Sequence, residues 1–78
     1  TMYMRVTDQL RSEIVAGRLK PNTRLKVPEL AQALGVSPSP VREALQKLQS
    51  EGLVVLKPNH GAVVRQIDAA EFAHMMRM

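Results

Sequence analysis

The chain has 78 residues, enough for one small domain that buries roughly 60% of its unfolded surface and too few for a large enclosed pocket. One Phe, one Tyr and no Trp leave the core to aliphatic side chains, and the absence of Cys excludes disulfides and thiolate metal sites, which fits a reducing cytoplasm. The formal net charge is +4, and the excess is concentrated from Arg18 to Arg65, where eight Lys or Arg stand against Glu29, Glu43 and Glu51; such a balance suits a polyanion partner.

Val6, Leu10 and Ile14 recur every four residues and predict a first helix from about Tyr3 to Ala16. Gly17 is placed to stop it, because glycine takes the left-handed conformation beyond a helix end. Pro21-Asn22 has the chemistry of a type II turn: Pro fixes φ at the first central position and Asn tolerates positive φ at the second. A short strand is expected at Leu25 and Lys26. A second helix starts near Pro28, whose missing N–H costs nothing in a first turn, and Glu29 favours the positive end of its dipole. Leu30, Ala31 and Leu34 face inward, and Gly35 ends the helix.

A third helix is expected over residues 37–51, with Ser37 as its N-cap and Pro38 and Pro40 in the first turn. Pro40 disfavours a helical conformation at Ser39, which makes this entry stiff. Val41, Ala44, Leu45 and Leu48 form its buried face, while Ser39, Arg42, Gln46 and Gln49 lie opposite. A small residue at Ala31, a turn glycine at Gly35 and a branched residue at Val41 are what two crossed helices around a tight turn require. That is a helix-turn-helix, whose second helix normally enters a DNA major groove.

Gly52 closes the third helix. Leu53 to Lys57 and Ala62 to Arg65 are short and β-branched, and Pro58-Asn59-His60-Gly61 between them forms a turn. A hairpin after a helix-turn-helix is a wing, here over 54–65, with His60 at its tip and Lys57 and Arg65 at its base. Asp68 followed by Glu71 resembles a capping box for a fourth helix carrying Phe72, Met75 and Met76. The apolar stripe of that helix calls for a cover, and a second domain is expected beyond Met78; the alternative is that the helix folds back onto the first helix or supports a dimer. The expected architecture is α+β and mostly helical: a winged helix-turn-helix domain over 1–67 and the start of a linker helix over 68–78.

Leu10-Arg11, Gly17-Arg18-Leu19-Lys20-Pro21, Glu29-Leu30-Ala31, Leu34-Gly35-Val36-Ser37, Pro40-Val41-Arg42-Glu43-Ala44-Leu45, Glu51-Gly52-Leu53-Val54 and His60-Gly61-Ala62-Val63-Val64 share one pattern. From about Val6 to Ile67 the chain resembles the N-terminal winged helix-turn-helix domain of GntR-family bacterial transcription regulators. The short link through Asp68 resembles the FadR branch. The resemblance implies a homodimer on a palindromic DNA operator, commonly a repressor, located in the bacterial cytoplasm on the nucleoid. It also implies a small-molecule effector bound by a C-terminal domain absent from this chain. Two departures matter: Pro28 and Pro38 stand where the family often has DNA-touching arginines. Asn22 replaces a usual glycine.

On this reading Arg42 makes a bidentate contact to guanine O6 and N7. Ser37 and Ser39, with the first amides of the third helix, bind phosphates and set register. Gln46 reaches a base edge or phosphate, and His60 and Gly61 enter the minor groove or follow the backbone. Lys26, Lys47, Lys57 and Arg65 supply the electrostatic attraction. The sequence leaves plainer roles open: Arg42 paired with Glu43 or Glu29, Ser37 as a cap only, Gln46 and Lys47 solvated, His60 a bare turn residue. The longest apolar run is four residues, far short of a membrane span, and the N-terminus lacks the apolar stretch of a signal peptide. No catalytic residue, metal ligand set or cofactor is expected: the two His are far apart and no paired carboxylates or glycine-rich phosphate loop occur. The competing function is a winged helix used for protein–protein contact without sequence-specific DNA binding.

Overall fold

The stripe of Val6, Leu10 and Ile14 is buried along one side of α1 (Met2–Val15), which begins and ends one residue earlier than the periodicity suggests. The computed structural model describes residues 1–58 and 61–66; the expected fourth helix and His60 lie outside them. After α1 come β1 (Arg24–Leu25), α2 (Val27–Leu34), α3 (Pro38–Ser50), β2 (Val54–Lys57) and β3 (Gly61–Val64). Asn22 takes φ 69°, as the Pro-Asn turn requires.

The core is built around α3. Val41, Ala44, Leu45 and Leu48 are essentially inaccessible, and α1, α2 and the sheet close over them. Ala31 is buried on α2, where its small side chain permits close approach to α3, while Leu30, Leu34 and Val36 pack half-buried around it. Gly35 ends α2 at φ 69°, with its N–H bonded to the Gln32 carbonyl and the Val36 N–H to the Ala31 carbonyl. This bonding satisfies the last helix carbonyls and turns the chain directly into α3. Thr7 is buried against the expectation for a polar residue; its hydroxyl donates to the Tyr3 carbonyl at 2.6 Å, so no polar group is stranded.

The sheet departs from the simple hairpin. Its strand order is β1-β3-β2, all antiparallel, with Leu25 opposite Ala62 and Arg24 opposite Val63 on one side of β3. On the other side Val54 pairs with Val64 and Lys57 with Gly61. The expected strand at Leu25-Lys26 forms one residue earlier, because Lys26 already serves as the extended N-cap of α2. Leu25, Val54, Ala62 and Val64 point into the core. A two-stranded hairpin is marginal in water, and the third strand anchors the wing to the body of the domain.

Close packing of β1 against β3 also explains Gly61. It has φ 73°, and a Cβ there would fall on the carbonyl oxygen of Leu25. The glycine is thus required by the neighbouring strand, whatever it does at a groove. Gly61→Ala combines an unfavourable φ with a backbone clash and is expected to cost about 2–4 kcal/mol. Urea denaturation of the two proteins checks this; a loss below about 1 kcal/mol would mean that the strand shifts to make room.

Candidate nucleic-acid interface

Because the inner face of α3 is fixed by the core, its outer face is fixed too. Ser39, Arg42, Gln46 and Gln49, at spacings of three and four, form one exposed stripe along it. Arg42 has no side-chain hydrogen bond or ion pair among the described residues, and the suggested pairings with Glu43 or Glu29 do not form. An exposed guanidinium with five unused donors is available to a planar acceptor pair or a phosphate.

Ser37 stands at the N-cap of α3 with extended backbone (φ −74°, ψ 163°), but its hydroxyl makes no capping bond. The next residues leave one amide for such a bond, that of Ser39. A capping side chain accepts from the second or third helical N–H, and the third is Pro40, which has none. Pro38 likewise lacks an N–H, so only the Ser37 and Ser39 amides remain at this end for an anion. At this end the hydrogen-bond donors are the two serine hydroxyls and these two amides. Ser39 is helical despite preceding Pro40. An open groove beside this end is lined by Tyr3, Val36, Ser37, Ser39, Pro40 and Glu43 among others.

The basic side chains expected to attract phosphate sit on different elements. Lys26 is exposed at the start of α2, Lys47 is exposed on α3, and Lys57 is exposed at the end of β2. Arg65 is engaged: its Nη1 donates to the Gly52 carbonyl at 3.0 Å, which holds the wing base to the end of α3. Its guanidinium is correspondingly less free than the ammonium groups of the three lysines.

The far end of α3 is held by a pair that sequence reasoning missed. Arg11 Nε and Nη2 donate to Glu51 Oε1 and Oε2 at 2.8 and 2.7 Å, while Nη1 reaches Asp8 at 2.7 Å. Both partners lie far apart in sequence, so no local spacing signals the pair. The fork lowers the pKa of Glu51 below its ordinary value of 4.5, chiefly through the hydrogen bonds from Arg11, with a smaller contribution from Lys47 through space. A depressed carboxylate stabilises the fold above its unfolded pKa, and that contribution is lost as pH falls through the folded value. Glu51→Gln is expected to cost about 1 kcal/mol at pH 7, since the pair is partly exposed, and progressively less below pH 4.5. Denaturant titrations of both proteins at pH 7 and at low pH test it; a constant difference would contradict the ionic origin.

Among the described residues no cluster of His, Cys, Asp or Glu is arranged to hold a metal ion, and no helix is long and apolar enough to cross a membrane. A family model described as "Bacterial regulatory proteins, gntR family" matches residues 2–64. The chain is 33% identical over 69 residues to the uncharacterized HTH-type transcriptional regulator YdhC of Bacillus subtilis, covering 88% of this chain and 31% of that protein. It is 31% identical to the HTH-type transcriptional regulator McbR of Escherichia coli, over 100% of this chain and 35% of that protein. The solved structure of E. coli McbR/YncC matches with TM-score 0.83 over 99% of this chain and 36% of that chain. The DNA-binding domain of AraR, solved in complex with operator ORR3, matches at 31% identity and TM-score 0.75, over 82% of this chain and 78% of that one. The chain spans about a third of the length of the curated relatives named here. With the family model matching residues 2–64 and the three helices and wing of the fold in place, this chain belongs to the gntR family of bacterial regulatory proteins.

Proposed function

We propose that this chain is the sequence-specific DNA-binding part of a bacterial transcription regulator. The carrying observation is the exposed stripe of Ser39, Arg42 and Gln46, polar and with Arg42 unpaired among the described residues, on a helix whose opposite face is locked in the core. The likeness to the AraR domain seen on its operator supports the same reading. Arg42 reads a guanine in the major groove, Gln46 a neighbouring base edge or phosphate, and Ser37 and Ser39 hold the backbone. His60 and Gly61 at the wing follow the adjacent groove, and Lys26, Lys47, Lys57 and, to a lesser degree, Arg65 attract phosphate. Residues 68–78 lead to a C-terminal domain that dimerises the protein on a palindromic operator and takes a small effector, as in the FadR branch, in the cytoplasm on the nucleoid.

Selection of bound duplexes from a random pool, at fixed moderate salt, tests this. A recurring short motif supports the reading, and its half-site spacing reports the distance between two recognition helices. Salt then separates DNA binding from a protein-contact module. With Lys26, Lys47 and Lys57 each neutralising one phosphate, log K falls against log salt with a slope of about −3 per protomer. An unenriched pool at any salt would overturn the proposal in favour of the protein-contact role.

A further inference from the structure

Gln49 shares the exposed stripe with Arg42 and Gln46, yet its side-chain oxygen is already engaged within the protein. Its Oε1 accepts the backbone N–H of Leu56 at 2.7 Å. Leu56 lies in β2, the outer strand of the order β1-β3-β2. The Val64 amide bonds to Thr23 on the β1 side at 2.9 Å. By antiparallel alternation the Val63 and Gly61 amides face β2, which leaves the Val54 and Leu56 amides on the free edge. An edge N–H of this kind normally meets water. Here it is bound by the helix that carries the proposed base-reading residues.

Nearby contacts act in the same sense. The Arg65 amide donates to the Leu53 carbonyl and its side chain to the Gly52 carbonyl, both at 3.0 Å. These tie the base of the hairpin. Gln49 is placed differently, because it joins the groove-facing side of α3 to a point farther along the wing. The four residues of β2 make a lever roughly 13 Å long, so a rotation of about 10° at its base moves the tip by about 2 Å.

Resting on the DNA-binding reading above, we infer that Gln49 is a positioning residue: it reads no base but fixes the angle between recognition helix and wing. The helix and the wing then address neighbouring grooves at one set separation. The side-chain oxygen of a residue on the exposed stripe is thus turned to the wing.

The test uses this chain, its Gln49→Met and Gln49→Glu variants, and the duplex selected by the wild type. Leu56 amide exchange is followed by NMR in the free proteins. Gln49→Met removes the acceptor at similar size and is expected to speed exchange about tenfold, while Gln49→Glu keeps the acceptor and the protection. Binding is then measured to duplexes altered either within the half-site or in the flank. Gln49→Met is expected to keep the half-site preference and to reduce the flank preference from about tenfold to about twofold. Gln49→Glu, which adds a charge, weakens binding to all duplexes alike and keeps both preferences.

Unchanged Leu56 exchange in Gln49→Met would overturn the clamp. Faster exchange with an unchanged flank preference, or an equal loss at half-site and flank, would overturn the positioning role. A wild type with no sequence preference would overturn the DNA reading and this inference together, while leaving the Leu56 exchange result intact.

Discussion

Arg42→Ala is expected to erase the preference of the chain for its selected duplex over one altered at the contacted base pair. A bidentate guanidinium–guanine contact is worth about 1–3 kcal/mol of discrimination, roughly 5- to 150-fold for each half-site. The effect is confined to one base pair in each half-site, since Arg42 is exposed and bonded to nothing among the described residues. For the same reason its removal leaves the fold intact, and the variant melts with the wild type. Competition binding against single-base operator variants measures this. A variant that still prefers the original base would show that the discriminating contact is made elsewhere on the stripe, with Gln46 next in line.

Leu48→Ala is expected to have the largest effect on stability. Leu48 is wholly inaccessible on α3, the helix against which α1, α2 and β2 all pack. Truncating such a side chain costs about 2–5 kcal/mol through lost transfer free energy and the cavity left behind. A domain of this size has little more than that in total, so the variant is expected to be largely unfolded at 37 °C. Thermal denaturation followed by circular dichroism checks it. DNA affinity falls in step with the folded fraction, unlike Arg42→Ala, where affinity for the selected site falls with the fold intact. A folded Leu48→Ala protein with a loss under about 1 kcal/mol would mean that α1 and α3 can close the gap.

Both predictions come from one geometric fact that was legible in the sequence. The four apolar positions of α3 recur at three and four, so the helix must bury that side and show the other. The ends were legible too. Gly17, Gly35 and Gly52 each sit just past a helix, and Asn22 takes the positive φ that its turn demands. The poverty of amides at the start of α3 was also within reach, because Pro38 and Pro40 have no N–H to donate.

What local pattern determined, then, was the helices, their boundaries to within a residue, and the polar stripe, because periodicity and turn chemistry act over a few neighbouring residues. What only the tertiary structure decided were pairings between distant parts of the chain. The strand at Arg24-Leu25 joins β3 instead of standing alone, and that contact turns Gly61 from a freedom into a requirement. Arg11 and Glu51 meet across the helix packing, Arg65 turns back to Gly52, and Gln49 turns its side-chain oxygen to the Leu56 amide. Each is a polar contact at a place fixed by the packing of apolar faces. A charged or amide side chain at an exposed helical position looks the same in sequence whether it awaits DNA or is already bound within the fold.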